Sequence, residues 1–335
     1  MIQYLCQTIN TTITMNHKLK YLSDYLEESR YLKDLNDRKL TKNSIIITAR
    51  YRTGSTYLYS LFGNLPNVAA FNEPLHRDLI GWFDKDDLES QKFKYKASHT
   101  QTFKGNYFSE YKSLDRELFI RYYRSEFGIT NIVMSSMDEY DELKDYVAFL
   151  LSSHPDQLKV LQFNRINFRL SWMKANFPKA LIVNLRRNPR DIYSSYLKLH
   201  LRFFDKEANS DEDLGKVVEG IGLNKELNAL TEVLTPLFSL DDLNNYEKIY
   251  LLNQLSNLWA DRFSDLVIEY ESLVQYPVEV LSKITSEISN FELSFANGLI
   301  EPRKDRVNVW QEHQSELWFQ ECEAKCDNLI EQMLF

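Results

Sequence analysis

The chain has 335 residues, of which 44% are hydrophobic and 26% are charged, and its formal net charge is −8. This composition is typical of a globular protein with one large domain or two modest ones, and the negative charge argues against a general nucleic-acid-binding surface. No stretch approaches the roughly 18 apolar residues that a membrane span requires. The first residues lack the basic start and apolar core of a signal peptide, so we expect a cytoplasmic protein.

The three cysteines, Cys6, Cys322 and Cys326, have no histidine at metal-ligand spacing, which argues against a zinc site or a disulfide framework. They fit a reducing compartment, and the sequence predicts no metal site. Residues 1–43 carry apolar side chains at helical spacing among polar ones. This pattern predicts a helical extension, which either packs on the main domain or serves as a lid or partner contact. Residues 44–335 are predicted to form a single domain.

The stretch that organises this domain begins at Ser44. Its first five residues, SIIIT, are mostly apolar and β-branched, which predicts a buried strand. The basic turn ARYRTGS follows at 49–55, and from Thr56 onward apolar residues recur at helical spacing. A helix start offers backbone N–H groups and a favourable dipole to an anion. Gly54 lets the backbone approach that anion closely, and Arg52 supplies a guanidinium. The sequence therefore predicts a phosphate or sulfate cradle here.

A second basic turn follows the most apolar predicted strand, ALIVNL at 180–185. Arg186, Arg187 and Arg190 lie at its end, where a helix is predicted to begin. Because like charges repel unless an anion is bound, we interpret this cluster as a second anion site. Ser195 lies about two helical turns further along, near the start of that helix.

Glu73 is the candidate general base. It lies about nineteen residues beyond Gly54, a spacing that allows one helix and a return to the carboxyl edge of the sheet, where open α/β sheets bind ligands. Because Glu73 precedes Pro74, we expect its backbone to be extended. A carboxylate beside an anion site can accept a proton, and His76 is the reserve candidate for this role.

Further short strands are predicted at Lys159–Phe163 and Leu266–Glu269. Their alternation with helices is typical of an α/β fold with a central parallel sheet. The regions at about 76–155 and 199–245 are predicted insertions that build the acceptor pocket. The acidic cluster from Asp138 to Asp145 either attracts a cationic acceptor or is a solvated helix face. The predicted helices include Phe119–Phe127, Glu142–Leu151, Phe168–Phe177, 246–262, a stretch from about 271 to 288, and 312–334.

The two basic turns and a third basic cluster suit a ligand with two separated anionic groups. The third cluster consists of Arg303, Lys304 and Arg306. A ribonucleotide with phosphates at its 5′ and 3′ positions has this form. The first turn would hold the 5′ group, and the second turn would hold the 3′ phosphate.

At these motifs the sequence resembles the sulfotransferases that use 3′-phosphoadenylyl sulfate (PAPS), in particular their carbohydrate-type and bacterial branches. Their first loop reads Arg-Thr/Ser-Gly-Ser-Ser/Thr and holds the 5′-phosphosulfate, which implies that Arg52 contacts the transferring group. Arg187 and Ser195 match the family's Arg and Ser eight residues apart, which bind the 3′-phosphate. Glu73 matches a Glu-Pro pair whose Glu is the base in the members that carry it. The first loop is matched by Arg52, Thr53, Gly54, Ser55 and Thr56.

The resemblance extends to two further segments. Tyr270 begins Tyr-Glu-Ser-Leu, which is similar to a family segment whose Tyr lies near the adenine. Arg303 and Lys304 resemble the terminal basic loop that closes on the 3′-phosphate, although Asp305 replaces its usual glycine. The resemblance implies the P-loop-like sulfotransferase fold, PAPS as donor and 3′-phosphoadenosine 5′-phosphate (PAP) as product, without a metal. The acceptor would be a hydroxyl or amine of a small molecule or carbohydrate.

Two other functions fit parts of this pattern. One is a P-loop kinase or NTPase, although Ser55 stands where the phosphate loop of that class carries its lysine. The other is a nucleotide-binding protein without catalysis. For the enzyme, a cationic natural product such as a guanidinium alkaloid is an additional acceptor hypothesis, which depends on the acidic charge balance.

Overall fold

The computed structural model describes residues 41–83, 108–204, 211, 214–234, 239–295, 300–302 and 306–334. Nearly all of the predicted N-terminal extension, residues 1–40, lies outside the described residues, and so does Cys6 within it. Parts of both predicted insertions, including residues 84–107, also lie outside them.

A parallel β-sheet forms the centre of the described part of the chain. The strands lie in the order 2-3-1-4-5, and every pairing between neighbours is parallel, so their carboxyl ends share one edge. This sheet confirms the predicted α/β fold class. The strands are β1 (Ser44–Ala49), β2 (Val68–Asn72), β3 (Leu158–Phe163), β4 (Ala180–Arg186) and β5 (Leu266–Glu269).

Helices connect the strands and cover both faces of the sheet. Within the described ranges, none of them combines the length and the apolar character that a membrane crossing needs. In chain order they are α1 (Ser55–Gly63), α2 (Leu79–Phe83), α3 (Arg116–Tyr122), α4 (Asp141–Ser152), α5 (Leu170–Asn176), α6 (Pro189–Phe204), α7 (Gly215–Gly220), α8 (Leu223–Leu234), α9 (Asn245–Phe263), α10 (Tyr270–Gln275), α11 (Pro277–Thr285) and α12 (Glu316–Leu334).

The alternating residues of β1 show how the sheet is buried on both sides. Ile45 and Ile47 pack on one face, together with Phe62 of α1. Ile46 packs on the opposite face, in the larger cluster that contains Trp172 of α5. Burial on both faces is the usual reason that parallel strands are nearly continuous apolar runs, and it explains why the sequence reveals β1 and β4 so clearly.

The structure corrects the predicted elements at three places. β2 is not predicted from the sequence, because VAAFN is short and has a single β-branched residue. The predicted helix at Phe119–Phe127 is instead α3 followed by a 3₁₀ turn at Ser125–Gly128, since Tyr123 and Arg124 between them are extended. The predicted helix from about 271 to 288 is two helices, because Pro277 starts α11 and the preceding residue leaves the helical region.

Candidate active site

The first basic turn follows β1 and leads into α1, as predicted. Arg52 and Gly54 both have positive φ angles, of 70° and 95°. Glycine is required at position 54, because a Cβ atom there would lie 2.3 Å from two ring atoms of Tyr270. The turn is therefore shaped by one glycine and by the aromatic ring that packs against it.

The start of α1 presents backbone donors to a cleft. Tyr57 and Leu58 donate the first helical hydrogen bonds, both to the carbonyl oxygen of Gly54. The N–H groups of Gly54, Ser55 and Thr56 therefore precede the helical ladder, and these three residues line the cleft. This is the arrangement that binds phosphate and sulfate groups at helix N-termini.

Two other residues of the turn have structural partners. Thr53 is buried, and both its hydroxyl and its N–H group donate to the carbonyl oxygen of Arg50. Its side chain is not among the described residues that line the cleft. Arg50 forms a buried ion pair with Glu226 of α8, at 2.5 Å. Arg50 is thus neutralised from within the chain, and Arg52 is the arginine of this turn that faces the cleft.

The second basic turn uses its three arginines differently, which corrects the interpretation of the whole cluster as an anion site. Arg186 pairs with Asp261. Arg190 donates two hydrogen bonds to Glu323, at 2.7 and 2.8 Å. Carboxylates from distant helices therefore neutralise two of the charges, and Arg187 alone of the three lines the cleft.

Arg187 joins the two turns. Its guanidinium donates to the carbonyl oxygen of Arg52 at 2.8 Å and to that of Arg306 at 2.5 Å. It also lies over the ring of Tyr270, 4.6 Å from the centroid. Burial lowers its pKa, against the opposing effect of Tyr270. Its Nε atom is buried without a hydrogen-bond partner among the described residues.

Ser195 strengthens the same junction. Its hydroxyl accepts a hydrogen bond of 2.9 Å from Nε of Arg52. Arg52, Arg187, Ser195 and Tyr270, which the sequence predicted as site residues, thus meet in one cleft.

Asp191 anchors the third basic segment beside this junction. Its buried carboxylate accepts hydrogen bonds from the backbone N–H groups of Asn308, Val309 and Trp310. This contact holds the chain next to Arg306, which also lines the cleft. The other two basic residues of the segment, Arg303 and Lys304, lie outside the described residues.

Glu73 lies directly after β2 and lines the same cleft. Its φ angle is 43°, so the expectation of an extended backbone is wrong. The physical reason is a tight turn, in which the Glu73 N–H donates to Gln162 and its carbonyl oxygen accepts from the His76 N–H, both at 2.8 Å. Asn164 donates from Nδ2 to Oε1 of Glu73 at 2.7 Å. Burial lowers the pKa of His76 to about 4, so this imidazole is neutral at pH 7.

Asn164 and Arg165, which directly follow β3, are site residues that sequence reasoning missed. Arg165 donates to the hydroxyl of Tyr51 at 2.5 Å and to the carbonyl oxygens of Gly128 and Ile221 at 3.3 Å. Burial raises the pKa of Tyr51, so its phenol is neutral at pH 7. The signal for these residues was available, because the ends of parallel strands meet where α/β sheets bind ligands, and β3 was predicted.

The cleft has a volume of about 820 Å³, within the range of small-molecule sites. Both predicted insertions contribute to its wall: His76, Ile129 and Ile132 come from the first, and Ile221 and Lys225 from the second. The five acidic residues of the predicted cluster are all described, and none of them lines the cleft; they are Asp138, Glu139, Asp141, Glu142 and Asp145.

Comparison with known proteins gives a family match over most of the chain. A family model described as "Sulfotransferase family" matches residues 44–289. Curated protein sequences give no match. Among solved structures, a sulfotransferase from Alicyclobacillus acidocaldarius is 14% identical, with a TM-score of 0.41 over 88% of this chain and 96% of that one.

Two further similar structures are described as sulfotransferase domains. The domain from the curacin biosynthetic pathway is 16% identical, with a TM-score of 0.39 over 82% of this chain and 84% of that one. The domain from the Synechococcus PCC 7002 olefin synthase is also 16% identical, with a TM-score of 0.40 over 86% and 94%. Because the family model spans the sheet and both basic turns, this chain belongs to the sulfotransferase family.

Proposed function

We propose that this protein transfers the sulfuryl group of PAPS to a hydroxyl or amine of a small-molecule or carbohydrate acceptor. The observation that carries the proposal is the junction of Arg52 and Arg187 in one cleft, with Glu73 at the same edge of the sheet. The two arginines come from the ends of adjacent strands, and they would grip the two anionic ends of one nucleotide.

The residues of the cleft fit a donor with separated 5′ and 3′ anions. At the first turn, the contact between Gly54 and Tyr270 leaves no room for a Cβ atom, and three backbone N–H groups open the helix. At the second, Arg187 is 7% exposed and carries a buried Nε donor without a partner among the described residues. A phosphate oxygen would satisfy such a donor and favour the charged guanidinium.

We assign the 5′-phosphosulfate to Arg52, Gly54, Ser55 and Thr56, and the 3′-phosphate to Arg187 and Ser195. Arg306 lies close enough to the latter pair to assist, and Arg303 and Lys304 remain predicted members of this set. When bound, PAPS would supply the sulfuryl group and a phosphate leaving group. Arg52 and the helix-start N–H groups would stabilise the charge that develops between them.

Glu73 would accept the proton of the acceptor while the acceptor's oxygen or nitrogen bonds to sulfur and the bond from sulfur to the 5′-phosphate oxygen breaks. Its position at the carboxyl end of β2 supports this role, as does its direct hydrogen bond from Asn164. His76 is neutral at pH 7 and follows in the same turn, so it remains the reserve base.

The acceptor would lie between the two insertions. Apolar side chains, including Ile129 and Ile132, line the cleft together with Glu73, Lys198 and Lys225. This mixture favours an acceptor with both apolar and hydrogen-bonding groups over a uniformly charged one. The acidic cluster at 138–145 lies away from the wall and does not support the guanidinium-alkaloid hypothesis.

Two measurements test the donor. Isothermal titration should give tighter binding of PAP than of ATP with Mg²⁺, and the reverse order would contradict the proposal in favour of a kinase or NTPase. Transfer of ³⁵S from labelled PAPS to a panel of phenols, sugars, aminosugars and amines should identify at least one acceptor. A protein that binds PAP but transfers to none of them would support the non-catalytic alternative.

The base is tested by Glu73→Gln. We expect transfer to fall by about 100-fold or more with nearly unchanged PAP affinity, because the substitution removes the proton acceptor and leaves both basic turns intact. Glu142→Gln is the matched control, since this exposed carboxylate pairs with Arg124 away from the cleft. A fully active Glu73→Gln variant would exclude Glu73 and direct attention to His76.

A further inference from the structure

We propose that Asn164 is a positioning residue that joins the donor loop to Glu73 and holds this carboxylate at the point of transfer. The inference depends on the proposed function of Glu73, and it adds a residue that the family motifs in the sequence do not include. Asn164 directly follows β3, lines the cleft, and is only 5% exposed.

The hydrogen bonds of Asn164 fix the orientation of its amide. Its Oδ1 atom accepts from Nε2 of Gln162 at 2.9 Å and from the hydroxyl of Ser55 at 3.1 Å. With the oxygen side occupied by two donors, the NH₂ group must face the other way. There, Nδ2 donates to Oε1 of Glu73 at 2.7 Å, the short distance expected for a charge-assisted bond.

Gln162 makes this arrangement rigid. Its side chain holds the Asn164 amide, and its backbone carbonyl oxygen accepts from the N–H of Glu73 at 2.8 Å. Gln162 is fully buried in β3, next to the end of β2. Gln162 thus holds the backbone of Glu73, and Asn164, at the end of the same strand, holds its carboxylate.

Ser55 connects this network to the proposed donor site. It belongs to the loop that we assign to the 5′-phosphosulfate, and it contacts the same amide oxygen whose partner nitrogen binds Glu73. The donor loop and the base therefore share one side chain, which fixes the distance between the transferring group and the proton acceptor. Such fixed placement is what in-line group transfer requires.

Several titratable groups near Glu73 would influence the pKa measured for its carboxylate. The Tyr51 and Tyr111 phenols and the Arg165 guanidinium interact electrostatically with this carboxylate, and the His76 imidazole lies in the same turn. Both phenols have pKa values raised by burial, and His76 is neutral at pH 7. Asn164 is an uncharged donor to Glu73, and its removal would favour the protonated form of this carboxylate.

An acceptor-independent experiment tests the contact. In protein labelled with ¹³C at the glutamate carboxyl carbon, the Glu73 signal is assigned by its loss in Glu73→Gln. Asn164→Ala should raise the Glu73 pKa by about one unit or more, because a hydrogen bond to the charged form is lost. Asn253→Ala is the control, since Asn253 is equally buried but lies in α9 away from the cleft. An unchanged Glu73 pKa in Asn164→Ala would overturn the proposal.

Kinetic measurements distinguish a positioning role of Asn164 from a general effect on the stability of the protein. With ³⁵S-labelled PAPS and the fastest acceptor of the panel, Asn164→Ala should lower kcat by about 10- to 100-fold with little change in the KM for PAPS. In a Glu73→Gln background the same substitution should cost less than about twofold, because Asn164 acts through Glu73. Equal losses in both backgrounds would overturn the proposal.

Asn164→Asp is a second variant that keeps the shape of the side chain. It tests the proposal even if Asn164→Ala fails to fold. It places a second carboxyl beside Glu73, so the lower limb of the pH–rate profile should move up by about one unit or more. An unmoved profile in this folded variant contradicts the positioning role. If Glu73→Gln is slow but Asn164→Ala has a normal kcat, the positioning role of Asn164 is wrong and Glu73 remains the proposed base. If Glu73→Gln is fully active, the proposed role of Glu73 is itself wrong.

Discussion

Arg187 donates a hydrogen bond of 2.8 Å to the backbone carbonyl oxygen of Arg52, although 135 positions separate them in the chain. The contact is possible because β1 and β4, which precede these residues, are adjacent parallel strands. It brings two basic turns, each unremarkable by itself, into one site.

The charge of Arg187 should be essential for nucleotide binding. We expect Arg187→Ala to weaken PAP binding by about 10- to 100-fold, because it would remove the charge-assisted hydrogen bonds that we propose Arg187 makes to the 3′-phosphate. Isothermal titration measures the change. Arg186→Ala is a closely matched control, since this neighbouring arginine pairs with Asp261 outside the cleft. Equal losses in the two variants would mean that Arg187 has no specific role.

The close approach of Gly54 and Tyr270 should not tolerate a side chain. Gly54→Ala must place a Cβ atom where the Tyr270 ring lies and must keep a positive φ angle. We expect PAP affinity to fall by about 10-fold or more as the turn rearranges. Gly63→Ala is the control, because a Cβ atom there would make only an ordinary 3.7 Å contact with Ala70. Normal PAP affinity in Gly54→Ala would show that the shape of the turn is not critical.

The ring of Tyr270 should support Arg187. Replacing it by leucine removes the cation–π contact at 4.6 Å, and we expect PAP binding to weaken by about 3- to 30-fold. Tyr270→Phe keeps the ring and should fall between the wild type and the leucine variant. Titration of Tyr276→Leu serves as the control, since Tyr276 is half exposed and lies outside the cleft. Equal affinity in Tyr270→Leu and wild type would contradict this role.

Glu110 should make stability depend on pH. Its carboxylate accepts from the N–H of Asn72, and burial raises its pKa from 4.5 to about 7. A raised pKa means that the folded state binds the proton more tightly than the unfolded state does. The stability that the protonated Glu110 carboxyl contributes is therefore fully present below pH 4.5 and is lost as the pH rises through 7. Between pH 4.5 and 8, the wild type should lose roughly 3 kcal/mol of unfolding free energy relative to Glu110→Gln.

Urea unfolding of both proteins at several pH values, at constant ionic strength, measures this difference. Other titrating groups are shared by the two proteins and cancel in the comparison. A stability difference that stays constant from pH 4.5 to pH 8 would contradict the raised pKa of Glu110.

The sequence predicted the sheet better than the site because its strands carry strong local signals. β1, β3, β4 and β5 are short apolar runs, whereas β2 has two alanines and no clear pattern. The charges were harder to interpret. Arg50, Arg186 and Arg190 pair with carboxylates from distant segments, which leaves other arginines to face the cleft. No local sequence pattern predicts that Glu226, Asp261 and Glu323 are these partners.

The sequence by itself determined the α/β class and located the two basic turns and the candidate base, because hydrophobic period, glycine and charge are local properties of a chain. Only the tertiary structure decided that Arg187 faces the cleft while Arg186 and Arg190 do not, and that Asn164 connects Ser55 to Glu73. These facts depend on contacts between segments that lie far apart in the chain. Such contacts are set by strand order and packing, which no short stretch of sequence encodes.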